Sequence, residues 1–188
     1  MANKILCFSG SARKNSINKK LALLACTTIK ICGADATYID LADFKLPLYD
    51  GDLEAKSGIP DTAYKLKRIF CAHDGLFIAS PEHNSTYSAL LKNTVDWISR
   101  ITEDGEAPLN AFTDKIAAIS AVSPGALGGY CGLIPLRLFL NNMGVTVVPS
   151  QITINDGFNA FKEDGSLLKE YHQNLLSKTV DSLLKTKV

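Results

Sequence analysis

The chain has 188 residues, 46% of them hydrophobic and 21% charged, with 20 basic against 19 acidic side chains for a net charge of +1. That length suits a single domain spanning residues 1–188 with a substantial core. The near-neutral balance gives a nucleic-acid partner no electrostatic support, and no apolar run is long enough to cross a bilayer, so no membrane insertion is expected.

Met1 through Lys4 leads directly into an apolar run without a signal-peptide pattern, so a cytoplasmic location is expected. The run Ile5-Leu6-Cys7-Phe8 is long enough for one buried strand and breaks into Ser9-Gly10-Ser11-Ala12-Arg13-Lys14-Asn15-Ser16. Ile17, Leu21, Leu24 and Thr28 then recur at helical spacing. A strand that ends in such a loop at a helix N-terminus aims unpaired backbone N–H groups at one point, where the helix dipole favours an anion. Ser9, Ser11, Ser16 and Asn18 add polar side chains, Arg13 and Lys14 add charge, and Ile17 opens the helix. Neither G-x-x-x-x-G-K-[ST] nor G-x-G-x-x-G is present. Hydroxyls in place of glycines suit a terminal monophosphate, such as that of FMN. The competing reading is an ordinary strand-to-helix turn in which a Ser or Asn of the loop merely caps the helix.

Apolar β-type runs alternate with helical patterns thereafter. Strands are expected near 4–9, 35–41, 75–80, 115–122 and 145–149, and helices near 16–31, 61–73, 88–101, 128–142 and 166–185. Leu76-Phe77-Ile78-Ala79 and Ile116-Ala117-Ala118-Ile119 are apolar on both faces, the pattern of central parallel strands covered by helices on each side. Right-handed crossovers then give an α/β three-layer sandwich. Two connections, Phe44 to Gly58 and Thr102 to Phe112, are too long for simple turns and are either functional or disordered, with a solvated excursion as the equal alternative for the second. On the helix near 88–101, Leu91, Val95 and Ile98 form one apolar stripe and Leu90, Thr94 and Trp97 a second. A surface that wide is expected to bury its excess against a second copy of the chain.

The five cysteines are scattered, without C-x-x-C, which argues against disulfide or zinc frameworks. His73, His83 and His172 lack metal-ligand spacing, so no metal is expected. G-x-S-x-G is missing, which disfavours a serine hydrolase.

In open α/β sheets ligands bind beyond the carboxyl ends of the strands, where strand order reverses. In the flavodoxin-like order 2-1-3-4-5, the loop after the third strand, Pro81-Glu82-His83-Asn84, therefore lies beside the phosphate loop. Its backbone N–H groups can meet the polar edge of a flat ring, and Ser88 is placed to cap the next helix. The small-residue loop Ser123-Pro124-Gly125 after the fourth strand allows close approach to a planar ligand. One loop suited to phosphate and two suited to a ring point to a mononucleotide flavin.

Taken together, these segments resemble the NADPH-dependent FMN reductase family, which includes chromate and quinone reductases and some azoreductases. Gly10 to Asn18 matches its G-S-x-R-x-x-S-x-N loop, and Leu46-Pro47-Leu48-Tyr49-Asp50 its acidic, proline-containing segment. Pro81-Glu82-His83-Asn84 resembles P-E-Y-N, and Leu91-Lys92-Asn93 with Asp96-Trp97 resembles L-K-N-x-x-D-W. The resemblance implies FMN, held at its phosphate by Ser11, Arg13, Ser16 and Asn18, with Pro81 to Asn84 along the isoalloxazine and Ser123 to Gly125 completing the pocket. It further implies hydride transfer from NADPH or NADH to flavin N5 without a catalytic side chain, then electron transfer to a quinone, chromate, azo compound or free flavin. A homodimer is implied, with a tetramer as the larger alternative. Two departures are visible: His83 stands where tyrosine or phenylalanine is usual, and Cys131 where many members have arginine in G-G-x-R. The alternative of a different class is a flavodoxin-type electron carrier, which the near-neutral charge disfavours because such carriers are typically acidic.

Overall fold

The computed structural model describes residues 4–186. Five parallel positions make up its sheet, in the order β2-β1-β3-β4-β5. The strands are β1 (Lys4–Ser9), β2 (Asp35–Asp40), β3 (Gly75–Ala79), β4 (Ile116–Val122) and β5 (Thr146–Val147). The helices are α1 (Ile17–Ile31), α2 (Gly51–Ser57), α3 (Asp61–Cys71), α4 (Ala89–Ser99), α5 (Tyr130–Asn142) and α6 (Glu170–Lys185). The flavodoxin-like architecture expected from strand–helix alternation is the one observed.

Period-two alternation divides the sheet's side chains between two cores. Ile5, Cys7, Phe77 and Ala118 face α1 and α6. Leu6, Phe8, Leu76, Ile78 and Ile119 face α3, α4 and α5. Every residue of β3 and β4 is buried, as strands covered on both faces must be. Cys7 and Cys26 lie inside the first core, and the neighbouring Cys26 thiol, together with burial, pushes the Cys7 thiol well above its ordinary range.

The fifth position departs from the expected single strand at 145–149. β5 pairs only Ile116 and Ala117, and a further strand, β6 (Ile152–Ile154), pairs Ser120 to Val122 farther along the same edge. Pro149, which has no N–H to give to a ladder, falls in the break. Arg137 of α5 spans it, donating to the Val147 and Val148 carbonyls and to Gln151 Oε1 at 2.9–3.0 Å. The last helix also begins later than expected, at Glu170, because a Gly165 turn closes a small hairpin in which Phe161 bridges Leu167.

The connection from Phe44 to Gly58 contains α2, opened by Asp50, whose carboxylate accepts from the Asp52 and Leu53 N–H groups. This segment packs on α4. Trp97 Nε1 and Asn93 Nδ2 both donate to the Pro47 carbonyl, at 2.8 and 2.9 Å, and the Tyr49 ring meets Trp97 edge-on at 5.1 Å. Ala63, Trp97 and Ile101 thereby form a third small core with Leu46, Tyr49, Leu53 and Ile59 around them. The two stripes of the helix near 88–101 are consequently both covered within the chain. Trp97 is buried under the 46–64 segment, Leu91, Val95 and Ile98 are buried in the second core with Leu90 partly buried against them, and Thr94 is buried too, so the argument from an excess apolar width on that helix does not stand.

The connection from Ile101 to Lys115 is latched to α3. Lys67, almost fully buried, pairs with Glu106 and, at 3.5 Å, with Glu103. It enters β4 from its N-terminal end, the edge of the sheet opposite the strand ends that carry the site.

Candidate functional site

Three loops meet beyond the carboxyl ends of β1, β3 and β4 around a cleft of about 240 Å³. Its lining includes Ser11, Arg13, Ser16, Ile17 and Asn18 from the first loop, Pro81, Glu82 and His83 from the second, and Ser123 and Pro124 from the third. Lys14, Asn84 and Gly125, also expected at the site, flank the cleft without lining it. Val122 and Phe158 line it and were not foreseen.

The first loop is positioned by close approach. Gly10 N–H donates to the Ala79 carbonyl at 3.0 Å, and Ser88 Oγ donates to the Gly10 carbonyl at 2.5 Å while capping α4 through Leu91 N–H. A Cβ at Gly10 would stand 2.7 Å from Ser88 Oγ, so this crossing requires glycine. Ser16 is the N-cap of α1 and accepts from Lys19 N–H at 3.4 Å. Its capping role and a phosphate-binding role are compatible, since a hydroxyl oxygen has a proton to donate besides accepting.

Asn18 is committed elsewhere. Its Nδ2 donates to the Val122 carbonyl and its Oδ1 accepts from Val122 N–H, both at 2.9 Å, which locks the start of α1 to the end of β4. The backbone N–H groups of Ile17 and Asn18, by contrast, belong to the unpaired first turn of α1 and find no acceptor among the described residues. That turn carries no acidic side chain, and the Arg13 guanidinium has no carboxylate partner among the described residues. An anion here would meet free N–H groups, hydroxyls, a guanidinium and the positive end of a 15-residue helix. The fit to a phosphate is therefore good.

The second loop is a tight hairpin. His83 and Thr86 exchange backbone bonds of 2.8 and 3.1 Å around Asn84 and Ser85, whose φ of 51° and 63° mark a type I′ turn. The His83 N–H is thus occupied, whereas those of Glu82 and Asn84 have no acceptor among the described residues. Glu82 Oε2 accepts from Gly132 N–H at 2.9 Å. It serves as the missing cap of α5, whose own N-cap, Gly129, has no side chain to give. This bond ties the hairpin to α5.

The third loop is fixed by β6. Ser123 N–H donates to the Ile154 carbonyl, and the Ser123 carbonyl accepts from Gly157 N–H. Gly157 is packed so closely on Ile17 and Val122 that a Cβ would come within 2.6 Å and 2.8 Å of them. This contact holds the next residue, Phe158, at the cleft with 69% of its surface exposed. The signal that would have found it is Ile152-Thr153-Ile154 followed by Asn155-Asp156-Gly157, a short alternating strand and a turn. Among the described residues no group of three or more His, Cys, Asp or Glu side chains is arranged to hold a metal.

The family model for NADPH-dependent FMN reductases matches residues 3–159, a span that contains all three loops. An NAD(P)H-dependent FMN reductase of Pseudomonas aeruginosa is 31% identical over 182 residues, covering 96% of this chain and 92% of that protein. A 2-hydroxy-1,4-benzoquinone reductase of Burkholderia sp. is 30% identical over 182 residues, covering 95% and 94%. Among solved structures, FerB of Paracoccus denitrificans, a flavoenzyme NAD(P)H:(acceptor) oxidoreductase, superposes with a TM-score of 0.81 at 26% identity, covering 97% of this chain and 96% of that one. The match over the cleft and the near-complete coverage of these relatives place the chain in the NADPH-dependent FMN reductase family, as an NAD(P)H-dependent flavin oxidoreductase.

Proposed function

We propose that the three-loop cleft is the FMN site and that residues 1–188 act as one flavin-binding unit, a cytoplasmic quinone reductase in type. The observation that carries this reading is the free first turn of α1, with Arg13, unpaired among the described residues, beside it, facing a cleft whose other wall is the Pro81–Thr86 hairpin. Ser11, Arg13, Ser16 and the N–H groups of Ile17 and Asn18 hold the phosphate. Pro81, Glu82 and His83 line the ring, with the Glu82 and Asn84 N–H groups as donors to its polar edge. Asn18 and Glu82 act through their side chains as positioning residues, one fixing α1 to β4 and the other fixing the hairpin to α5. Ser123, Pro124 and Phe158 form the remaining wall and exclude water.

When bound, FMN supplies the redox chemistry between NADPH or NADH and an acceptor such as a quinone. The chain contributes binding and orientation, and no side chain is assigned as acid or base. The relatives that reduce FMN and a benzoquinone support this acceptor class. The test is the visible spectrum of the flavin-loaded protein under anaerobic conditions. NADPH should bleach it, a quinone should restore it, and steady-state kinetics should be ping-pong. Reduction only through an added reductase protein would make the chain an electron carrier.

The proposed assembly is a homodimer through α5. Its outer face carries Tyr130, Ile134 and Leu138 at four-residue spacing, each 47–63% exposed. A self-contact there would remove this stripe from water. Because Glu82 joins the hairpin to the first turn of the same helix, the contact would also brace the ring side of the cleft.

A further inference from the structure

A second cavity, larger than the flavin cleft, opens on the outer flank of the molecule between β2 and α3. It measures about 490 Å³ and is lined by Thr37, Ile39, Phe44, Lys65, Arg68, Ile69, Ala72 and His73, none of which lines the cleft. Its origin is the sheet margin: β2 is the outer strand, hydrogen-bonded on one side only. The side chains at 65, 68, 69 and 72 follow helical spacing along α3. The large side chains that fill the neighbouring core, Leu41, Leu66 and Phe70, are fully buried beneath and do not enter the opening.

The charged side chains that line it are basic. Lys65 and Arg68 are exposed and have no ion pair among the described residues, and no carboxylate lines the cavity. Lys67 is engaged with Glu106 and Glu103, Lys19 with Asp40, and Lys115 with the His73 carbonyl, whereas Lys45, next to Phe44, is exposed and has no ion pair among the described residues. His73 closes the end, its Nδ1–H donating to the Ile69 carbonyl at 2.7 Å. An apolar floor of Ile39, Phe44, Ile69 and Ala72 under two unpaired cations is complementary to a small molecule with a hydrocarbon body and an anionic head. The volume lies within the range of small-ligand sites, about 300–1,000 Å³.

We propose that this cavity binds an apolar carboxylate, its hydrocarbon body along Ile39, Phe44 and Ile69 and its head on Arg68 and Lys65. The site is separate from the flavin cleft and independent of its chemistry.

The test is isothermal titration calorimetry of the flavin-loaded protein with decanoate, below its micelle-forming concentration. One saturable site is expected, with 1-decanol binding at least about tenfold more weakly. Lys65→Glu combined with Arg68→Glu should weaken decanoate binding by about tenfold or more, whereas Lys65→Arg with Arg68→Lys should retain it. Both residues are exposed, so flavin content and NADPH oxidation should stay at the parent level and report an intact fold. No saturable binding would overturn the proposal, as would equal binding of decanol or indifference to the charge reversal. Displacement of FMN by decanoate would overturn it too, since the ligand would then occupy the cleft.

Discussion

Asn18 belongs to a motif associated with phosphate binding, yet its side chain is spent on the Val122 backbone, and replacing it separates the two roles. The residue is 3% exposed. In Asn18→Ala the Val122 N–H and C=O lose these partners, and each buried orphan costs about 1–3 kcal/mol. The cleft beside Val122 admits water to them, so the lower part of that range applies, about 2–4 kcal/mol for the pair. In a protein of this size each kcal/mol lowers Tm by about 2–4 °C, so the FMN-free variant should melt roughly 4–16 °C below the parent. Urea unfolding of the FMN-free protein, followed by circular dichroism, measures the loss directly. Parallel titrations with FMN and riboflavin should give an affinity ratio changed by less than about threefold, because the latch orders the loop for both ligands. A variant with parental stability in the FMN-free state and a selective loss of FMN binding would refute the latch and make the side chain a phosphate ligand.

Arg13→Ala should weaken FMN by about tenfold to a hundredfold while leaving riboflavin nearly unaffected, read by flavin fluorescence; equal losses would remove Arg13 from the phosphate. Burial, with a lesser contribution from Lys169, lowers the pKa of His172 below its ordinary 6.5, and its Nδ1 has no hydrogen-bond partner among the described residues. The unfolded chain therefore takes up that proton more readily than the folded one. Stability should be full above about pH 6.5 and decline as the pH falls below it, and His172→Gln should flatten the difference in urea midpoint between about pH 7.5 and 5.5. Light scattering should give twice the chain mass for the parent and a single mass for Ile134→Glu; a parent that is monomeric at micromolar concentration would remove α5 as an interface.

What could be read from the sequence was local, and what could not depended on distant packing. The strand–loop–helix at residues 4–31 is encoded within its own segment, by an apolar run, a hydroxyl loop and the Ser16 cap, and it folds as expected. So do β3 and β4, whose unbroken apolar runs follow from having helices on both faces. The seven-residue α2 escaped because it is short and starts with Gly51, and its formation depends on Asp50 and on packing near Trp97. The double stripe on α4 was visible, but nothing in that helix says that residues 46–64 cover half of it. Likewise the phosphate loop announces itself, whereas Phe158 reaches the cleft only because β6 resumes the edge after Pro149 and Gly157 docks on Ile17 and Val122. The assignment of Asn18 turned on a partner 104 residues away.

The broken fifth position also bears on how this sheet avoids its own kind. An outer strand is a template for the next molecule's strand, and the hazard grows with the length of continuous, flat, unpaired backbone. Here that margin offers stretches of two and three residues separated by a proline, with the carbonyls of the break already taken by Arg137. Growth of a cross-molecule ladder along that side is interrupted before it can become cooperative. The opposite margin, the six residues of β2, is continuous, but it begins and ends in aspartate. Asp40 is already paired with Lys19, but Asp35 is exposed and without an ion pair among the described residues, and its charge would oppose sheet-to-sheet joining at that end. The two borders thus resist fibre formation by different means, one by interruption and the other by repulsion.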